Sequence, residues 1–323
     1  LATIAHRLVA LEIELDLALS GRSDRAKLLD DFTAAHRGGS KVELESLATW
    51  LLKRNQTQRV LDLLPPAVAA QSEVLAIVRL DALVAQGQIK EIQSDLESSN
   101  SPLSEAAKAV YRWFLATERG DTEGASAQWR AALAGGAENS MMLLGVAKYM
   151  ERRGKLDLAG EAYSILKAQP NFAKEAYLGL LRIAQNRGDT YQMRVLIEEM
   201  RKTNPADPAL RNDLAYLNLL LGRDLEGALQ TAEQLIAEFP HLLAMRTTLA
   251  LAYLRSKNPQ AAKALYEGLT IDWAKATPSA KAVYVAVLRE NGATDEAARF
   301  AATIRSQQLR PEERELASGV PGK

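Results

Sequence analysis

The sequence predicts an all-α fold: an α-solenoid in which helix-turn-helix units stack in chain order. Three patterns predict it. A turn residue recurs at intervals of 32–35 residues, a small or apolar residue stands five positions after it, and a further residue, mostly apolar, stands seven positions before it. A steady period of this length marks a repeat architecture, because one helical hairpin cannot bury its own apolar face and must stack on neighbours.

The turn residues are Gly21, Asn55, Gly87, Gly120, Gly154, Gly188, Gly222, Lys257 and Gly292. Glycine suits the left-handed backbone position that ends many helices, and asparagine is the next-best choice. Lys257 suits it poorly, but Asn258 and Pro259 follow and supply turn chemistry. The residues after the turn are Ala26, Val60, Ile92, Ala125, Ala159, Met193, Ala262 and Ala297; after Gly222 one residue is inserted and Ala228 takes the place. These are small or apolar, and a small residue there lets the two helices of a pair approach closely. Facing them across the pair stand Ala48, Leu80, Trp113, Ala147, Leu181, Ala215, Ala250 and Val285. Pro170, Pro205 and Pro240 close three successive units, since proline cannot continue a helix.

In chain order, residues 1–40 read as a divergent N-terminal helical hairpin. Leu1, Ile4, Leu8, Leu11 and Leu15 fall at helical spacing, whereas Leu11, Ile13, Leu15, Leu17 and Leu19 alternate as a strand would. Helix is preferred, because Leu, Glu and Ala favour it and no second strand is present to pair with. Residues 41–105 hold degenerate units, in which Pro65 and Pro66 cut a second helix short. Residues 106–310 hold the regular units, and 311–323, ending in SGVPGK, read as a flexible C-terminal tail.

These residues resemble the tetratricopeptide repeat (TPR) family, bacterial in style, over roughly 41–310 and best over 106–310. The family's large aromatic near the start of the first helix appears only as Tyr177, and related helical hairpins of similar period remain open for the first third. The resemblance implies a right-handed superhelix whose concave groove is lined by first-helix side chains not used in packing. Carried over by register, those positions are Lys148 and Arg152, then Arg182, Gln185 and Asn186, then Asn212 and Tyr216. Lys148 and Arg152, Arg182 and Asn186, and Asn212 and Tyr216 are each four residues apart, so each pair shares a helix face. Such a stripe offers donors to carboxylates and carbonyls of an extended peptide. The competing reading is a set of ordinary solvated helix residues. Leu144 and Leu178 stand where chaperone-tail clamps of the family carry basic and amide side chains, which argues against that role. Leu219, Leu251 and Leu254 either make the groove apolar or belong to the core.

Composition narrows the chemistry. Lys plus Arg and Asp plus Glu each number 40, giving a net charge of zero, which argues against a broad nucleic-acid surface. Cysteine is absent, which removes disulfides, thiol catalysis and cysteine-ligated metals. His6, His36 and His241 are isolated, so no metal site is expected. The pairs Asp30–Asp31, Glu198–Glu199 and Glu312–Glu313 are adjacent on helices and diverge by about 100° instead of converging on one bond. ASGVPGK at 317–323 has half of a phosphate-binding loop but no Ser or Thr after the lysine. Trp50, Trp113 and Trp129 read mainly as core, and Trp273 as a surface aromatic in a linker. No cofactor is implied, and no apolar run is long enough for a transmembrane helix.

The sequence therefore predicts a non-catalytic scaffold that binds a protein or peptide partner, without nucleic acid and without membrane insertion. The alternatives are a self-assembling homodimer module, or a regulatory domain of a larger enzyme or membrane-tethered protein. Because the chain begins at Leu1, a processed start or a longer parent protein is expected, placed in the cytoplasm or tethered in the periplasm through a preceding segment.

Overall fold

The computed structural model describes residues 3–17 and 22–319. Among them every regular element is helical: twenty α-helices and one 3-10 turn. The chain forms two compact units, Leu1–Val146 and Ala147–Lys323.

The first unit opens with α1 (Ile4–Leu17) and α2 (Arg22–Ala35), so the helical spacing of the leucines prevails over their alternation. Ile4, Leu8, Leu11 and Leu15 are buried on one face of α1. Next come α3 (Lys41–Lys53), α4 (Thr57–Leu63), α5 (Pro66–Ala69), α6 (Glu73–Gln86), α7 (Ile89–Glu97), α8 (Glu105–Glu118) and α9 (Thr122–Glu138). Pro65 and Pro66 do divide a second helix, leaving the short α4 and the single turn α5. The α8–α9 hairpin is close-packed, with the Trp113 and Trp129 rings 6.3 Å apart.

Helix α10 (Ser140–Arg152) spans the division between the units. The second unit continues with α11 (Leu156–Leu166), α12 (Ala173–Arg187), α13 (Thr190–Thr203), α14 (Pro208–Leu220) and α15 (Leu225–Glu238). It ends with α16 (Leu243–Arg255), α17 (Pro259–Ala264), α18 (Pro278–Glu290), α19 (Thr294–Ala301) and α20 (Pro311–Ser318). The first helices of its pairs are α10, α12, α14, α16 and α18, and the second helices are α11, α13, α15, α17 and α19.

The turns behave as their residues require. Asn55, Gly87, Gly120, Gly154, Gly188, Gly222, Lys257 and Gly292 all sit at positive φ, between 55° and 83°. Gly21 lies outside the described residues. After several turns the next residue caps the second helix: the Asp121, Asp189 and Asn258 side chains accept from backbone N–H groups three residues on, satisfying donors that a helix start leaves open. Val60, Ile92, Ala125, Ala159, Met193, Ala228, Ala262 and Ala297 are all buried. Ala26 is exposed, so the first unit's opening hairpin departs from the packing of the others.

Two expectations are corrected. Residues 311–318 are not a tail; they form α20, with Pro311 in the first turn and Glu313 fully buried. Trp273 is not a surface aromatic: it stacks on Tyr284 at 4.4 Å and meets Phe300 edge-on at 5.0 Å, because its linker folds against α18 and α19. Val320–Lys323, the end of the loop-like ASGVPGK, lies outside the described residues.

Candidate functional site

The first-helix face of the second unit carries all seven residues that register assigns to a groove. The structure treats them in two ways.

At the α10–α12 end they remain open. Lys148, Arg152, Gln185 and Asn186 are exposed, and Lys148 acts through space on the Glu151 carboxylate. Between them lies a polar triad that the sequence did not announce. Arg182 donates from Nε to Glu151 Oε1 at 2.7 Å and from Nη2 to Oε2 at 2.8 Å, while the Tyr163 hydroxyl donates to Oε2 at 2.7 Å. The Arg182 hydrogen bonds hold the Glu151 carboxyl below its usual range, more than offsetting partial burial. Burial first, and the bond to Glu151 second, push the Tyr163 phenol up. Arg182 thus already has a partner, although half of its side chain is exposed.

Tyr163 reaches Glu151 because its ring lies flat against Gly179 in α12. A Cβ at Gly179 would overlap that ring. A glycine inside a helix is unfavourable relative to alanine, so Gly179 was the one local sign of a close approach here.

At the α14 end the expected positions are covered. Asn212 and Tyr216 are 6% and 8% exposed, which corrects their assignment as accessible groove donors. The reason is α20. The Tyr216 hydroxyl donates to Glu313 Oε1 at 2.9 Å, Arg310 donates its backbone N–H to Glu313 Oε2 at 2.9 Å, and its guanidinium pairs with Glu313 Oε1. Thr190 at the start of α13 donates to Glu312 at 2.6 Å, Arg310 reaches Ser279 of α18, and Arg289 of α18 donates to the Leu316 carbonyl at 3.0 Å. Tyr216 stands six residues before its turn, as do Lys148, Arg182, Leu251 and Ala286. The last two are also buried.

Leu144 is buried and Leu178 is partly exposed, so neither of these positions offers a basic or amide group. Leu219 and Leu251 belong to the core cluster that also holds Tyr216, and Leu254 packs at its edge. Among the described residues no group of His, Asp and Glu could hold a metal ion, and no helix is long and apolar enough to cross a membrane.

No family model and no curated protein matches the sequence. Solved structures do match. The chain is similar to a tetratricopeptide repeat protein from Parabacteroides merdae, at 16% identity and a TM-score of 0.43, over 77% of this chain and 98% of that one. It is also similar to yeast Tom70, at 17% identity and a TM-score of 0.36, over 93% of this chain and 60% of that one. The fold is a succession of helix pairs that follow one another in chain order. What carries that statement is the chain's own geometry: from Asn55 to Gly292 a left-handed residue ends each first helix, and a buried small or apolar residue stands five positions later, or six after Gly222.

Proposed function

We propose that the chain is a protein-interaction scaffold whose ligand is an extended segment bearing carboxylates or free carbonyls. The segment lies along Lys148, Arg152, Arg182, Gln185 and Asn186. The observation that supports this most is the exposure of Lys148 and Arg152, two cations one helical turn apart, on a helix whose neighbouring carboxylate Glu151 is already engaged by Arg182, with the exposed amides Gln185 and Asn186 on the next first helix. Arg182 contributes position more than charge, since Glu151 neutralises it.

The test is an array of acidic peptides probed with the wild-type chain and with the double variant Lys148→Ala, Arg152→Ala. The variant is expected to keep its helical circular dichroism and to lose on the order of tenfold in affinity at low salt. The loss shrinks as salt rises and screening weakens the contacts in both proteins. Undiminished binding by the folded variant moves the interface off this face.

A second reading, self-assembly, is favoured by α1, where Val9 and Ile13 are 55% and 54% exposed on one face. Light scattering that reports a monomer at all concentrations rules it out.

A further inference from the structure

The bed on which α20 lies differs in chemistry from the rest of the second unit's packing. Helix α18 buries Ala280, Ala282, Val283, Val285, Ala286, Val287 and Leu288, all apolar. Helix α20 fully buries one side chain, and that is a carboxylate, Glu313. Its single large apolar contact is the half-buried Leu316, set against the cluster that holds Tyr216 and Leu251. The attachment is otherwise polar and directional: Glu312 on Thr190, Glu313 on Tyr216, and the Leu316 carbonyl on Arg289. Pro311 rests on Gly188. An eight-residue helix has little stability of its own, so α20 is ordered by its seat.

The seat is also incompletely satisfied. On α14, Asn212 Oδ1 is buried and has no hydrogen-bond partner among the described residues. Groups left in that state are costly, and a fully complementary packing surface does not retain them. The seat therefore has unused hydrogen-bonding capacity beside a site that already receives two carboxylates and one leucine.

We propose that this seat, formed by α14, α18 and the start of α13, is an interaction surface. Its ligand is a helix with two adjacent carboxylates in the first turn and a large apolar residue one turn later. Helix α20 is its occupant in cis, and a partner helix of the same chemistry exchanges with it. Nothing here depends on the open stripe at Lys148 and Arg152, which involves other residues and another ligand form. The linker from Ala302 to Arg310, whose residues are mostly exposed, lets α20 leave while its seat stays folded. While attached, α20 competes at the high effective concentration of a tethered ligand, so exchange requires either a tight partner or a weakened α20.

Two measurements on the full-length chain test this. In native-state hydrogen exchange, the amides of α20 should be on the order of tenfold or more less protected than those of α16 and α18, reporting a separate opening. Equal protection, meaning that α20 opens only when the unit unfolds, overturns the proposal. The second probe is a labelled synthetic peptide of residues 306–319. It should bind Glu313→Gln at least tenfold more tightly than wild type, because the cis helix is weakened. The peptide carrying the same Glu-to-Gln change should fail to bind. If circular dichroism shows that Glu313→Gln is unfolded, Glu312→Gln, which weakens the bond of α20 to Thr190 and leaves the seat unchanged, takes its place. No binding of the peptide to a folded weakened chain also overturns the proposal.

Discussion

Six residues before the turn, the second unit carries Lys148 and Arg182 at one end and Tyr216, Leu251 and Ala286 at the other. These are the same position of the same repeat. The first two face solvent; the last three are buried. Register fixes which way a side chain points, because the helical period is constant along the array. It does not fix what lies in front of that side chain. At the α14 end α20 arrives from about a hundred residues away and covers Tyr216. The comparison shows that an inward-facing position in a repeat protein is a binding position only where the chain has not already filled it.

The comparison rests on one register running through both ends, and Ala159 tests that most severely. It is fully buried on α11. Ala159→Arg is expected to cost about 3 kcal/mol or more, from overpacking and an unpaired buried cation. For a unit of this size that lowers Tm by about 6 °C or more. An unchanged melting curve would show that the register is wrong.

The next effect separates the two ends. Tyr216→Phe leaves the buried Glu313 short of a donor and is expected to cost about 1–3 kcal/mol. Lys148→Ala, at the same repeat position, should stay within about 0.5 kcal/mol of wild type. Denaturant titration of the two variants checks the contrast, and equal effects would dissolve it.

A third pair sharpens it at a different position. Gly145 and Gly179 each stand nine residues before their turns. A Cβ at Gly145 meets nothing, while one at Gly179 runs into the Tyr163 ring. Gly145→Ala should stabilise by up to about 1 kcal/mol through helix propensity. Gly179→Ala should destabilise by about 1–2 kcal/mol. Thermal melting of the two variants reads both signs.

The smallest effect is a pH dependence at the open end. Glu151 has a folded-state pKa below its ordinary value, mainly because Arg182 donates to it. Its contribution is therefore complete above the unfolded-state pKa of about 4.3 and disappears as pH falls through the lower folded value. Acid titration of stability should show this component in wild type and not in Glu151→Gln. Parallel curves would remove the triad from the stability of that end.

The repeat was legible because it is written in local chemistry. Eight turn positions carry Gly or Asn and one carries lysine, and the lysine shows how far the pattern reaches. Lys257 has no intrinsic preference for positive φ, yet it adopts 58° because the helices on either side require the turn. The lysine and arginine stripe was legible for the same reason. Helix α20 was not, because nothing in the pattern around 311–318 records bonds to Thr190 and Tyr216, 122 and 97 residues earlier. Its one apolar anchor, Leu316, makes no periodic pattern, so the segment reads as polar tail. Trp273 was misread for a related reason: its linker position says nothing of Tyr284 in the next helix or of Phe300 beyond the next turn.

The bonds from α20 to Thr190 and Tyr216 also change how the second unit comes apart. In a linear stack each pair touches only its neighbours, so the terminal pair frays first and unfolding runs inward like a zipper. A tie between α20 and the start of α13 converts that stack into a closed loop. The last pair, α18–α19, can then fray only after the loop is cut, and the loop itself closes late in folding because its contacts span so much chain. Whatever lifts α20 therefore does more than uncover a surface: it leaves the folded last pair held by its neighbour alone, as at the end of an open stack.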